Sequence, residues 1–276
     1  MLVSSGASAM PTTPPDVQLL QASVDSDDES EFRILVDGRS IRYLTIDPGL
    51  YDVGDMCFGP SLISMLPPLP PGDWNQGHIS NDASKGRPHF SRVTKAQLPE
   101  ITNIWHPRQV DYLELGMGKK LRSNVYEATC PCVDSNMIIA KFARFSWEMP
   151  QLDAEARAYQ WIERQNIGPK FLGHISEEGR VIGFMIERIA DCRHAAPGDV
   201  ALCQQTLRRL HELGIRHGDV NRHNFLVHDG RATLIDFDMA ARGADEQALE
   251  EEFRRVQEEL QDTSGRGGRI VESGAA

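Results

Sequence analysis

The chain has 276 residues and a formal net charge of −11, long enough for one large domain or two lobes with a real core, and too acidic for nucleic acid to be its main partner, since neutralising phosphates needs a surplus of Lys and Arg. With 40% hydrophobic residues it has no run near the ~20 apolar residues of a bilayer span and no basic n-region in Met1–Met10. The expectation is an intracellular protein, cytoplasmic or nuclear, not secreted and without a membrane partner. Its scattered cysteines, Cys57, Cys130, Cys132, Cys192 and Cys203, make no disulfide framework, and Cys130-Pro-Cys132 lacks zinc-site spacing.

Residues 1–31 are rich in Ser, Thr, Pro and Gln and end in Asp25, Asp27, Asp28, Glu29 and Glu31, which predicts a disordered acidic tail. Residues 32–110 read as an N-terminal extension. Phe32–Val36 and Ile41–Ile46 flank Asp37-Gly38, a hairpin signal. Residues 60–90, with Pro67, Pro68, Pro70 and Pro71, read as a loop or wrapping segment. A further structured piece is expected around Gln97–Val110.

Regular patterning starts at Tyr112 and marks a domain over residues 111–262. Val125–Cys130 and Met137–Ala143 read as strands. Leu152–Arg164 reads as a helix with Leu152, Tyr159 and Ile162 on one stripe, and Phe171–Ser176 with Val181–Ile186 as a hairpin around Glu178-Gly179. A helix begins at Asp199 and stops at Gly214. A loop, two short strands about Asp229-Gly230 and a last helix bearing Leu249, Phe253, Val256 and Leu260 follow. Residues 263–276 read as a flexible Gly-rich tail. The order of elements predicts an α+β chain of two unlike lobes.

The loop His217-Gly218-Asp219-Val220-Asn221-Arg222-His223-Asn224 carries an Asp and an Asn five apart. It leads into the strand Phe225-Leu226-Val227. The next strand, Leu234-Ile235, ends in Asp236-Phe237-Asp238. If the strands pair, Asp219 and Asn224 come near Asp236, and two carboxylates with an amide oxygen suit Mg2+. Phosphoryl transfer needs such a cluster to neutralise charge and orient a nucleophile. Glu155 shares the apolar stripe of its helix, and a buried carboxylate needs a partner. Lys141, at the end of the strand Met137–Ala140, is the candidate.

These residues resemble the protein-kinase catalytic loop H-R-D-x-x-x-x-N followed by D-F-G, over roughly Leu113 to Met239. The resemblance implies a two-lobed protein-kinase-like fold: a small β-rich N-lobe with one helix, to about residue 188, and a reduced, mainly helical C-lobe from about 189. It implies ATP and Mg2+ as cofactors. Asp219 would accept the proton of a substrate hydroxyl, Asn224 and Asp236 would hold Mg2+, and Lys141, paired with Glu155, would grip the phosphates. Glu187 would lie at the hinge facing adenine and Leu226 beneath it, with Gly118 and Val125 at the phosphate-covering loop.

The glycines of G-x-G-x-x-G would fall at Gly118, Lys120 and Ser123, so only the first survives; Lys119, Lys120, Arg122 or Ser123 would contact phosphate instead. Gly218 and Asn221 replace the usual Arg and Lys, as in aminoglycoside, choline and RIO-type kinases. Only 38 residues follow Asp238, without A-P-E, so the usual peptide platform is largely missing. Leu66–Trp74, Trp105-His-Pro107 and His217–Leu226 together resemble a fungal family of kinase-like proteins. Three readings follow: a phosphotransferase moving the γ-phosphate of Mg-ATP to a hydroxyl of a protein or small molecule; a kinase-like nucleotide-binding protein with little or no turnover; and a metal-dependent hydrolase using Asp219, His223 and Asp236. The phosphoacceptor is not specified by the sequence.

Overall fold

The computed structural model describes residues 14–81, 86–133, 137–262 and 264. The expected Gly-rich tail at 263–276 lies outside the described residues except for Ser264. Two compact units meet in the chain between Gln97 and Leu98. The fold class is α+β.

The first unit is a five-stranded sheet in the order β1 (Val17–Ser23), β2 (Ser30–Val36), β3 (Ser40–Ile46), β4 (Gln76–Asn81) and β5 (Pro88–Thr94). Helices α1 (Val53–Cys57) and α2 (Gly59–Met65) lie between β3 and β4. Phe32, Ile34, Leu44, Ile46 and Ile79 form the core with Met56, Leu62 and Trp74. β2 and β3 pair through Asp37 (φ 52°) and Gly38 (φ 65°), the positive-φ pair that a tight hairpin requires.

Two expectations are corrected here. Val17–Ser23 is a strand antiparallel to β2, not disordered tail. Leu19 and Ala22 pack on the core, a gain that exists only once β2 offers an edge and that local composition does not register. The acidic run also has structure: the Asp25 carboxylate accepts from the Asp27 and Asp28 amides at 2.8 and 3.0 Å, forming an Asx-type turn. Residues 60–90 contain most of α2, all of β4 and the start of β5. In β4 the buried Gly77 and Ile79 alternate with less buried neighbours, a period-2 pattern hidden among turn-forming residues.

The second unit holds a six-stranded sheet in the order β6-β10-β11-β9-β8-β7. Its strands are β6 (Gln109–Asp111), β7 (Gly116–Arg122), β8 (Val125–Thr129), β9 (Ile138–Phe142), β10 (Phe171–Glu177) and β11 (Arg180–Glu187). Helix α3 (Met149–Trp161) intervenes after β9, with Pro150 in its first turn, where a missing N–H costs nothing. The stretch 98–108 belongs to this unit rather than to the extension expected through residue 110. Ile101 N–H donates to the Val181 carbonyl (2.8 Å) and Trp105 Nε1 to the Ala156 carbonyl (3.0 Å). Trp105 also packs against Phe171, centroids 4.6 Å apart. Single anchors without periodicity leave no pattern to read.

The remainder comprises β12 (Arg193–His194), α4 (Val200–His211), β13 (Ile215–Arg216), β14 (Phe225–His228), β15 (Arg231–Leu234), β16 (Ala241–Arg242) and α5 (Glu246–Gln261). They form the small sheets β12-β14-β15 and β13-β16. α4 buries Cys203, Leu207 and Leu210, and Gly214 (φ 69°) ends it in the left-handed region. Cys130 and Cys132 are joined by a local disulfide, a pairing the sequence reading did not anticipate, while Cys57, Cys192 and Cys203 are free thiols. Among the described residues, no helix is long and apolar enough to cross a membrane.

Candidate active site

β9 lies between β8 and β11, in register with Val125 and Phe184 at Lys141. The Lys141 side chain therefore leaves the centre of the sheet, where α3 presents Glu155. Lys141 Nζ contacts Glu155 Oε2 and lies 2.6 Å from Asp236 Oδ1. Glu155 is 1% exposed, and its other oxygen accepts weakly from the Phe237 amide at 3.4 Å. Asp236, just beyond β15, has φ 67°, a strained setting for a non-glycine residue. Its Oδ2 accepts from Arg122 Nη1 at 2.9 Å. Two cations thus converge on Asp236, and a cavity of about 170 Å³ adjoins the group, lined also by Val125 and Asp238.

The second part of the site is the loop between β13 and β14. Asn221 and Asn224 both donate Nδ2 to Asp219 Oδ2, at 3.1 and 3.0 Å. Asp219 Oδ1 makes no hydrogen bond among the described residues. With its amide group committed to Asp219, Asn224 keeps Oδ1 buried without a hydrogen-bond partner. An unsatisfied buried amide oxygen is costly unless something binds it. The backbone links the two parts: Ile235 N–H donates to the Asn224 carbonyl (3.0 Å), and His217 Nε2 lies 3.1 Å from the Ile235 carbonyl. His217 Nδ1 accepts from the Asp219 amide at 3.3 Å, so Nε2 is the donor and the buried imidazole is neutral.

Gly218 has φ 89°, and an added Cβ would collide with the Met239 carbonyl. Glycine is therefore demanded where most protein kinases have Arg. The loop is tied down from α5. Glu252, 6% exposed, accepts from the His217 and Gly218 amides at 2.9 and 2.7 Å and lies 2.8 Å from His211 Nε2. The sequence reading missed this residue, though it shares the stripe of Leu249 and Val256.

Electrostatics follow from one cation placed between two carboxylates in a dry setting. Burial lifts the Glu155 carboxyl to about 7; Lys141 opposes the rise and the Asp236 charge adds to it. Burial would lower Lys141, but Glu155 and Asp236 outweigh it and the pKa rises. Asp236 moves the other way: burial raises it, while Lys141 and Arg122 bring it below the ordinary carboxylate value. Asp238 is raised by burial and by Asp236. His194 and His223, with centroids 5.3 Å apart, are both lowered by burial and then by neighbouring positive groups that include Arg122 and Arg222.

The structure thus brings Lys141, Glu155 and Asp236 into contact and joins Asp219 to Asn224. Val125 borders the adjoining cavity. Gly118, Glu187 and Leu226 lie outside the hydrogen-bonded cluster. Gly118 is in β7, where a Cβ would crowd the Glu127 carbonyl at 3.0 Å. Glu187 is exposed at the end of β11, its N–H donating to the Lys170 carbonyl (2.8 Å). Leu226 is half-buried in β14, opposite His194. For Mg2+ the donor set fits: Asn224 offers the orphaned oxygen, and the Asp236 carboxylate has lone pairs beyond those facing Lys141 and Arg122.

A model of the lipopolysaccharide kinase (Kdo/WaaP) family matches residues 198–267, the stretch that contains α4, the Asp219 loop, Asp236 and α5. The chain is also 32% identical, over 177 residues, to a probable bifunctional tRNA threonylcarbamoyladenosine biosynthesis protein of Methanoculleus marisnigri. That alignment covers 59% of this chain and 31% of the relative, so the chain spans about a third of that protein's length. The matches support a kinase-like superfamily. Asp219, Asn224 and Asp236 all lie within the stretch matched by the family model.

Proposed function

We propose that this protein is a compact phosphotransferase that moves the γ-phosphate of Mg-ATP to a hydroxyl of a protein or small molecule. The observation that carries the reading is the contact of Lys141 with both Glu155 and Asp236, together with an Asn224 oxygen left without a partner. The family matches support kinase-like phosphotransfer in general. In this reading the six-stranded sheet with α3 is the β-rich first lobe, and α4, α5 and the small sheets form a reduced second lobe.

Lys141, kept charged by its two carboxylates, orients phosphate oxygens, and Glu155 fixes the direction of the ammonium group. Arg122, at the end of β7, supplies positive charge where the glycine-rich cradle is eroded, exchanging Asp236 for phosphate. Asn224 and Asp236 would hold Mg2+, which when bound neutralises charge on the phosphates. Asp219 accepts the acceptor hydroxyl proton at Oδ1, its Oδ2 being fixed by Asn221 and Asn224. Glu252 holds the loop through two backbone amides, leaving Asp219 free to meet substrate. Glu187 and Leu226 would border adenine, and Gly118 and Val125 the phosphates.

A second reading, nucleotide binding with little or no turnover, draws on the Arg122–Asp236 contact, which places a cation on a carboxylate that a catalytic metal needs. One experiment separates them: thermal stability with ATP and with ATP plus Mg2+, then ATP consumption against a library of hydroxyl compounds and proteins. Both readings require nucleotide stabilisation, and only the first gives turnover that Asp219→Asn abolishes. An unchanged melting temperature at millimolar Mg-ATP removes both.

A further inference from the structure

Three neighbouring strands of the first unit bring a histidine and two carboxylates together. β2 and β3 are antiparallel with Ser30 opposite Ile46. Glu29, immediately before β2, and Asp47, immediately after β3, therefore meet at the same end of the sheet. β4 runs parallel to β3 with His78 beside Thr45. Ser30, Ile46 and Ile79 are buried on the core side, so strand alternation puts Glu29, Asp47 and His78 on the other face. One ligand atom from each lies within 4.8 Å of the others. His78 Nε2 is 3.0 Å from Asp47 Oδ1 and 3.4 Å from Glu29 Oε1.

A second observation fixes the orientation of the ring. Ser91 Oγ donates to the His78 carbonyl (3.2 Å) and lies 2.9 Å from His78 Nδ1, which turns Nε2 towards the two carboxylates. Nε2 is fully enclosed and forms no hydrogen bond, although Asp47 Oδ1 lies 3.0 Å away. With zinc-to-ligand bonds of about 2.0–2.2 Å, neighbouring ligands are about 3.0–3.5 Å apart, a range that includes both distances from His78 Nε2.

The geometry points to a divalent-cation site within the first unit, held by Glu29, Asp47 and His78 and suited to a zinc-like ion. One imidazole and two carboxylates favour such a transition metal over Ca2+ or Mg2+. Ser91 orients the imidazole as outer-shell partners of metal-bound histidines do. The surroundings also want positive charge. Arg92, opposite His78 in register, makes no ion pair with these carboxylates among the described residues. A bound ion would clamp β2, β3 and β4 at one end.

The test is titration of the chelator-stripped full chain with Co2+ and then Zn2+. We expect one equivalent of Co2+ to give visible absorption bands that Zn2+ abolishes, and Zn2+ to raise the melting temperature. His78→Gln and Asp47→Asn should each weaken binding 10–100-fold or more, whereas Asp236→Asn should leave it unchanged. If His78→Gln does not fold, Asp47→Asn and the His78 Nε2 chemical shift of the parent protein decide: saturating Zn2+ must move that resonance. No bound ion, parental affinity in both variants, or an unmoved resonance would overturn the site and leave a histidine–carboxylate ion pair.

Discussion

Glu155 offers the sharpest physical test of the candidate active site. It is 1% exposed, and burial lifts its carboxyl from 4.5 to about 7 against the pull of Lys141. A carboxyl raised on folding takes up its proton more readily in the folded state. The contribution of Glu155 to the stability of the second unit therefore grows as pH falls from about 7 towards 4.5, and is lost as pH rises back through that window. At about 1.4 kcal/mol per pH unit, and with the group half-protonated at the upper end, the gain between pH 7 and 5.5 is on the order of 1–2 kcal/mol. Glu155→Gln keeps the shape and removes the titration. The difference in unfolding free energy between parent and variant should shift by that amount over this interval, in favour of the parent at low pH. Lys141→Met removes the charge that holds Glu155 down, so the window extends upward and the variant keeps losing stability above pH 8, where the parent has levelled off. Urea unfolding from pH 5.5 to 8.5, read by pulsed hydrogen exchange on β9 and α3 peptides at one labelling pH, isolates the second unit. Parallel curves for parent and Glu155→Gln between pH 5.5 and 7, or levelling at the same pH in Lys141→Met, would refute the buried three-residue cluster.

Saturation with Mg-ATP at ~100 times its dissociation constant should stabilise the protein by ~2.7 kcal/mol; Asp236→Asn should lose the Mg-dependent part, as nucleotide melting curves with and without Mg2+ will show. Asp219→Asn should retain nucleotide binding while turnover falls about 10²–10⁴-fold; lost binding in this variant with intact binding in Asp236→Asn would reverse the two roles. Gly218→Ala should cost about 1–3 kcal/mol, because φ 89° and the Met239 carbonyl leave no place for a Cβ; a parental urea midpoint would contradict the loop geometry.

The candidate loop cluster was legible because its parts are close in sequence. Asp219, Asn224 and Asp236 hang on one short hairpin, and the Asp229-Gly230 turn signal brings them together without help from the rest of the chain. Lys141 and Glu155 were legible for another reason: a carboxylate on an apolar helical stripe needs a partner, and the preceding strand ended in one. Glu252 left the same signal on α5, between Leu249 and Val256, but nothing in the sequence beside it suggested its use. Its partners are backbone amides about 35 residues away, and amides carry no mark in a sequence. Local pattern thus determined β8, β9, β10, β11, β14 and β15 and the three helices of the second unit, and grouped the polar residues at its hairpin. Tertiary structure alone decided that β1 is ordered, that Arg122 reaches Asp236 across 114 residues, and that Glu29, Asp47 and His78 share one end of a sheet. Those outcomes depend on which strand edge or side chain a segment meets after folding, and the free energy of such a meeting belongs to neither segment alone.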